Sequence, residues 1–294
     1  MAGIGRLNGI IRAWEEGRPA FASFANANRQ TAIEFSTSPY DGVVFEMEHG
    51  CWDPGELQDS LQYLLNRKQI HTAPSLSPAL TPVVRIPSNG VEMNQTYAKQ
   101  ALDRGVYGVV WPHIGTAEQA YNAVASCRYA RQKESDYYEP AGARGDGPAN
   151  ACRYWGLTMP EYYRKADVWP LNPEGEILVI TMIESVSGVQ NLDDILKNVP
   201  GIGCCLIGEG DLSQALGHPR HYDHPVVKDA MKHIVETCKK YNVPVGHPHV
   251  GSGNVDRVLA EGYRLILSAP VRSFEALEKA RATFGATTGK ASDA

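Results

Sequence analysis

Two carboxylates stand where short apolar runs end: Glu184 closes ILVITMIE and Asp211 closes CLIGEGD. A carboxylate directly behind seven mostly apolar residues needs a partner, because an unpaired buried charge is costly. For Glu184 that partner is either an arginine or a metal ion. Asp211 is either a metal ligand or the N-cap of a helix that starts behind it. Gly208 and Gly210 let the backbone turn tightly at this point and expose amide N–H groups. As a pair on adjacent strand ends, the two acids make an all-oxygen, partly open site. Such a site suits a hard divalent cation, Mg2+ or Mn2+, with water and substrate oxygens completing the octahedron.

Other reactive side chains fall at comparable positions. His49 follows Glu46 and Glu48 in EMEH. A carboxylate beside an imidazole orients it and raises its basicity, which suits a general base near neutral pH; a capping or structural histidine is the alternative. Arg85 ends TPVVR. Its fixed cation can clamp a carboxylate, stabilise an oxyanion, or simply pair with one of the acids. His113 follows the fourth apolar run. The pair His247 and His249 lacks a cysteine or third histidine at the spacing a zinc site needs. His218, His221 and His224 lie in a loop that reads as surface or interface. Chemistry through an imine would need a buried lysine at a strand end. Lysines are scarce there, so a metal route is favoured.

The elements that must hold these residues show as eight short apolar runs, at 20–25, 42–45, 82–86, 108–112, 177–183, 202–207, 243–246 and 263–268. Their length and β-branched content fit strands buried on both faces. Helical patterns lie at 54–66, 90–105, 116–131, 189–198, 226–241 and 254–262, the third opening on a Thr116-to-Gln119 capping box. Strands alternating with helices predict a parallel sheet, and eight of them predict an α/β fold, a single-domain (β/α)8 TIM barrel. An open doubly wound sheet is the alternative, but no G-x-G-x-x-G follows the first run. In a barrel, chemistry sits at the C-terminal ends of the strands, where the residues above fall. An amphipathic helix with Ile4, Leu7, Ile10, Ile11 and Trp14 on one side precedes the first strand. The barrel is read as residues 1–285, with 71–81 a loop, 132–170 a long inserted loop containing a helix-like stretch at 160–166, and 286–294 a flexible tail. A loop as long as 132–170 is either functional or an oligomer contact.

Composition narrows the function classes. The 294 residues are 43% hydrophobic and 21% charged, enough for a sizeable core. A net charge of −5 without a long basic run excludes a nucleic-acid footprint. No run approaches the roughly 18 apolar residues of a membrane span. The first residues lack a signal-peptide pattern, so a cytoplasmic location is expected. The six cysteines form no C-x-x-C pair and read as buried thiols in a reducing compartment.

The motifs DGVVFEMEHG, TPVVRIP, GVYGVVWPHIGTAEQA, GARGDGP, ILVITMIES and CCLIGEGDLSQALG span about 20–270 of the chain. Together they resemble the HpcH/HpaI aldolase family, which is related to the citrate lyase beta subunit and the wider phosphoenolpyruvate/pyruvate barrel superfamily. The resemblance implies a carbon–carbon lyase, a class II pyruvate-type aldolase acting on 4-hydroxy-2-oxo acids through a metal-bound pyruvate enolate. Its partners would be a small 2-oxo acid and an aldehyde. It implies a divalent cation (Mg2+ or Mn2+, with Co2+ also admitted) on Glu184 and Asp211, and a homo-oligomer, a hexamer built as a trimer of dimers. Arg85 matches the arginine that steadies the enolate oxygen, and His49 the histidine that moves a proton through an ordered water. Amides near Gly208, Gly210 and Asp211 would hold the substrate carboxylate. The chain departs from the family pattern at several places. Glu46 stands for an aspartate, Met182 for a substrate-facing glutamine and Glu209 for a proline, placing an extra carboxylate beside the metal. Pro270 stands for an aspartate and His113 for an apolar residue. Arg144 aligns with a family arginine in a loop. An oxaloacetate decarboxylase or condensing enzyme of the macrophomate-synthase type is the alternative, and a non-catalytic 2-oxo-acid-binding barrel a further one.

Overall fold

The computed structural model describes residues 4–87, 93, 95–268 and 274–284. Nine strands form among these: β1 (Ala20–Asn26), β2 (Gly42–Glu46), β3 (Thr81–Arg85), β4 (Gly108–Trp111), β5 (Val168–Trp169), β6 (Ile177–Ile183), β7 (Cys204–Ile207), β8 (Val245–His247) and β9 (Leu265–Ser268). Eight are the expected runs. The ninth, β5, is a two-residue strand at the end of the long inserted segment and pairs with the start of β6. The sheet runs β4-β3-β2-β1-β9-β8-β7-β6, and pairing of β4 with β6 closes it. All the pairings are parallel. The chain is thus a single-domain (β/α)8 barrel, and the open-sheet alternative is excluded. The fourth strand stops at Trp111 because Pro112 has no N–H to give the ladder.

Alternation along each strand divides its side chains between lumen and outer wall. Val44, Val83, Val110, Ile180, Met182, Leu206 and Leu267 belong to one buried cluster, the lumen. Ile10 and Ile11, from the helix Gly9–Glu15, join that cluster and plug the end where the strands begin. The plug sits close: a Cβ on Gly42 would lie 2.6 Å from Ile10 Cδ1. Buried Asn8 caps the helix, accepting from the Ile10 and Ile11 amides and donating to the Tyr107 and Glu176 carbonyls. Two residues further along each strand, the same parity aims Glu46, Arg85, Glu184 and Gly208 into the opposite mouth.

The predicted helices appear with shifted ends. The 54–66 pattern ends early, at Tyr63, and a further short helix, Arg67–Thr72, follows it, capped by Asn66, which accepts the Gln69 amide at 3.1 Å. His71 and Thr72 therefore belong to a helix, not to the loop expected there. The capping box forms as predicted on Thr116 and Gln119, but its helix ends at Ser126, short of 131. The inserted segment is not a structureless loop. It folds into Ala149–Trp155 and Met159–Lys165, separated by Gly156 in the left-handed region at φ 70°. Trp155 stacks on Tyr107 at 4.1 Å, and buried Arg128 pairs with Asp167 while donating to the Tyr137, Tyr138 and Pro140 carbonyls. Five cysteines are buried as expected, but Cys51 is exposed, because it lies on the rim loop just past His49. No helix among the described residues is long and apolar enough to cross a membrane. Pro270 and the tail at 286–294 lie outside the described residues.

Candidate active site

Glu184 follows β6 directly and is 2% exposed. One oxygen, Oε1, accepts the His113 amide N–H at 2.6 Å, and the His113 ring nitrogen Nδ1 lies 3.4 Å from the same atom. The other, Oε2, lies over Gly208: a Cβ there would stand 2.2 Å from it. Gly208 has φ −90°, a conformation open to any residue. The glycine is therefore there for close approach, not for the tight turn expected from the sequence. Among the described residues no lysine or arginine pairs with Glu184, so they give the salt-bridge alternative no support. Burial pushes its carboxyl up to about 7, with the charges of Glu48 and Asp211 adding to the rise and His113 opposing it.

Asp211 is the third residue of the helix Glu209–Ala215 and is exposed at the mouth. Gly208 holds the N-cap position, so the capping alternative for Asp211 does not hold. A Cβ on Gly210 would meet nothing within 4 Å. The donor set fits a hard cation. Among the described residues no donor engages Glu184 Oε2, Asp211 adds a second carboxylate near enough to raise the Glu184 pKa, and no lysine or arginine pairs with either acid. Among the described residues no three His, Cys, Asp or Glu side chains form a ready-made metal cage. Two protein carboxylates would leave the remaining positions to water and substrate oxygens.

Arg85 ends β3 opposite Glu46, which ends β2, in direct register. Its Nε donates to Glu46 Oε2 at 2.6 Å, Nη1 lies 2.9 Å from Glu48 Oε2, and the guanidinium covers the Phe24 ring at 5.0 Å. Met182 contributes its sulfur, 3.7 Å from Arg85 Nη1. Glu46 spends both oxygens on structure: Oε2 on Arg85, and Oε1 on the amides of Glu48 at 2.8 Å and His49 at 3.1 Å. It shapes the turn that carries His49 without touching the imidazole. The carboxylate that does face His49 is Glu48, at 3.6 Å from Nε2. His49 itself is 68% exposed, at the rim.

Glu48, expected only as a carboxylate beside His49, and His113, expected only at a strand end, join the two halves of the mouth. Glu48 Oε1 lies 3.7 Å from His113 Nε2, so the His113 ring stands between Glu48 and Glu184. Burial raises the Glu48 carboxyl, against the charge of Arg85. The signal for both was positional: each stands two residues past the last strand residue of its run. His113 adopts φ 56°, which non-glycine residues seldom do and which turns its amide toward Glu184.

The remaining polar candidates have partners of their own. Glu209 is buried and bonds His249 Nδ1, with His247 Nε2 at 3.8 Å, so its carboxylate is engaged by imidazoles. His247 packs on Tyr263, outside the lumen, at 5.0 Å. Arg144 lies on the outer wall, donating to Asp103 and to the Tyr162 hydroxyl, both at 3.0 Å. His218 and His224 stack on each other at 3.4 Å in the surface loop.

A closed parallel barrel whose C-terminal mouth gathers carboxylates, one arginine and two imidazoles belongs to the class of (β/α)8 barrel enzymes. The family model for HpcH/HpaI aldolase/citrate lyase matches residues 21–269, and the chain belongs to that family of aldolases and lyases. A 5-keto-4-deoxy-D-glucarate aldolase of Klebsiella pneumoniae is 30% identical over 222 residues, which are 76% of this chain and 74% of that one. In fold the chain is similar to a HpcH/HpaI aldolase/citrate lyase family protein from Burkholderia cenocepacia J2315, with TM-score 0.72 and 25% identity over 95% of this chain and 97% of that one. Macrophomate synthase shares the fold at TM-score 0.66 and 22% identity, over 96% of this chain and 88% of that one.

Proposed function

We propose that this chain is a divalent-metal-dependent pyruvate-type aldolase, which cleaves or forms 4-hydroxy-2-oxo acids with Mg2+ or Mn2+ held by Glu184 and Asp211. The observation that carries the reading is Glu184: a buried carboxylate with no lysine or arginine partner among the described residues, near a second carboxylate, with Oε2 over a glycine. When bound, the cation supplies the Lewis acidity that draws electrons toward the substrate's 2-oxo group.

The residues of the chain do the rest. In cleavage, the C4 hydroxyl gives up its proton, the C3–C4 bond breaks, an aldehyde leaves, and the electron pair moves to the C2 oxygen. Arg85 is the fixed cation for that oxygen, pre-set by Glu46, Glu48 and Met182 so that little reorganisation is needed. Glu48 and His49 are the groups placed to accept the hydroxyl proton and to return one to C3 of the enolate. The likeness to an aldolase of 5-keto-4-deoxy-D-glucarate supports a hydroxylated, acidic substrate class. The reading includes a homo-oligomer, for which light scattering of the purified chain is the direct measurement.

Pyruvate release from a panel of 4-hydroxy-2-oxo acids, followed through lactate dehydrogenase, tests the activity. Cleavage should need added Mg2+ or Mn2+ and should disappear in E184Q and in D211N. Cleavage that survives both variants and a chelator would sink the proposal. Oxaloacetate decarboxylation assayed beside it separates the decarboxylase alternative.

A further inference from the structure

Glu209 is 4% exposed, and among the described residues it has no lysine or arginine partner. Its two oxygens are shared by two imidazoles: Oε1 bonds His249 Nδ1, and Oε2 lies 3.8 Å from His247 Nε2. Both histidines come from the end of β8 or just past it, so the contact ties the strand end of β8 to the segment that leaves β7.

That segment is the seven-residue helix Glu209–Ala215, which carries Asp211. A helix this short has little stability of its own, so its placement depends on its anchors. The anchors are Glu209, Leu212 and Ser213, the three buried residues, at the i, i+3 and i+4 positions of one face. Leu212 and Ser213 fix the second turn, where the Ser213 hydroxyl donates to the Gly210 carbonyl and accepts the Arg220 amide. Within the first turn, among the described residues, Glu209 is the residue whose own side chain ties it to another strand end. Asp211 stands about 200° around the helix from it, on the side facing away from β8. A first turn pinned on one side by a charged hydrogen bond presents the other side at a fixed place.

We infer that Glu209, through His249 and His247, is a positioning residue that sets Asp211 for the cation. The inference rests on the metal reading proposed above, and it gives a role to a carboxylate that sequence position alone placed beside the metal.

The chain itself, stripped with a chelator, tests this by Mn2+ titration, with free Mn2+ read by electron paramagnetic resonance and folding checked by circular dichroism. E209A should weaken Mn2+ binding about 10–100-fold, the usual cost of losing an outer partner of a metal ligand. E209Q should weaken it less, because an amide oxygen still accepts from an imidazole. The deciding variant is H249A. If Glu209 merely attracts the cation by its charge, removing His249 leaves that charge in place and should tighten binding. If Glu209 positions Asp211, H249A should weaken binding, and the E209A/H249A double variant should be no weaker than E209A alone. Unchanged or tighter Mn2+ binding in folded H249A overturns the inference. Should E209A fail to fold, E209Q and H249A still decide it. Loss of Mn2+ binding in E184Q beside native binding in E209A and H249A refutes the positioning role alone. Native binding in E184Q, or none in the wild type, refutes the metal reading beneath it.

Discussion

Gly208→Ala isolates the close approach on which the acid pair depends. The backbone there has φ −90° and ψ 76°, so alanine is not strained by conformation, and the effect of the methyl is contact alone. The added Cβ would stand 2.2 Å from Glu184 Oε2 and 2.6 Å from the Glu184 Cβ, against about 3.4 Å for ordinary contact. The carboxylate must retreat by about 1 Å, or the helix behind Gly208 must move by as much. Retreat is opposed by the His113 amide, which holds the other oxygen at 2.6 Å. Overpacking of this kind costs about 1–3 kcal/mol of stability. A reacting group displaced by about 1 Å costs roughly 100-fold in rate. G208A should therefore lose about two orders of magnitude in kcat/KM for retro-aldol cleavage and bind Mn2+ more weakly, while remaining folded. Gly210→Ala is the contrast in stability: its Cβ meets nothing within 4 Å, and an alanine inside a helix gains up to about 1 kcal/mol over glycine. Lactate-dehydrogenase-coupled kinetics, Mn2+ titration and urea unfolding measure the three quantities. G208A with wild-type kcat/KM and wild-type Mn2+ affinity would refute the reasoning.

Three further outcomes are expected. The Glu184 carboxyl is held at about 7, above the ordinary 4.5, mainly by burial. In the metal-free chain the native state binds the extra proton between these values, so stability falls as pH rises through that window. Urea midpoints across the window should lose this slope in E184Q; parallel slopes in the two proteins would contradict the assignment. Arg85→Lys replaces a guanidinium that reaches Glu46, Glu48 and Met182 with a single ammonium, and should lower kcat/KM roughly 100- to 1,000-fold in steady-state kinetics. Glu48→Gln keeps the shape of the mouth but removes a proton acceptor, and should lower kcat about 100-fold or more with KM nearly unchanged; a native kcat would exclude Glu48 from proton transfer.

The barrel was legible because its signals are local. Eight apolar runs of strand length, each followed by a helical pattern, leave few topologies, and the two-residue period then decides which residues of each run face the lumen. Val44 leads to Glu46, Val83 to Arg85 and Met182 to Glu184, so three polar mouth residues follow from parity alone. What stayed hidden depends on distant partners or on backbone angles. Glu209 follows β7, and which way it turns is decided by histidines on β8, about forty residues later. His113 enters the site by its amide, which no side-chain pattern reveals, because φ 56° has no signature at a histidine. The short helix Arg67–Thr72 stayed hidden because it buries no residue, so no apolar spacing marks it.

The charge balance of the mouth ties these parts together. Among the described residues, Glu46, Glu48, Glu184 and Asp211 bring four carboxylates to the mouth, and the guanidinium paired with any of them is Arg85, which Glu46 and Glu48 already engage. Beneath them the lumen is aliphatic, from Met182 and Leu206 down to the Ile10 plug, so no compensating charge can come from below. Beyond what His49 and His113 supply against Glu48 and Glu184, relief comes from the open side, as a proton or as a cation. A proton on Glu184 is a relief available to the chain alone, and burial of that carboxyl favours it, with the charges of Glu48 and Asp211 adding to the effect and His113 opposing it. That proton also removes the ligand. A divalent cation relieves the same repulsion and keeps both carboxylates ionised, so proton and cation compete for one site. Divalent affinity should therefore rise with pH through about 7, the value at which Glu184 gives up its proton.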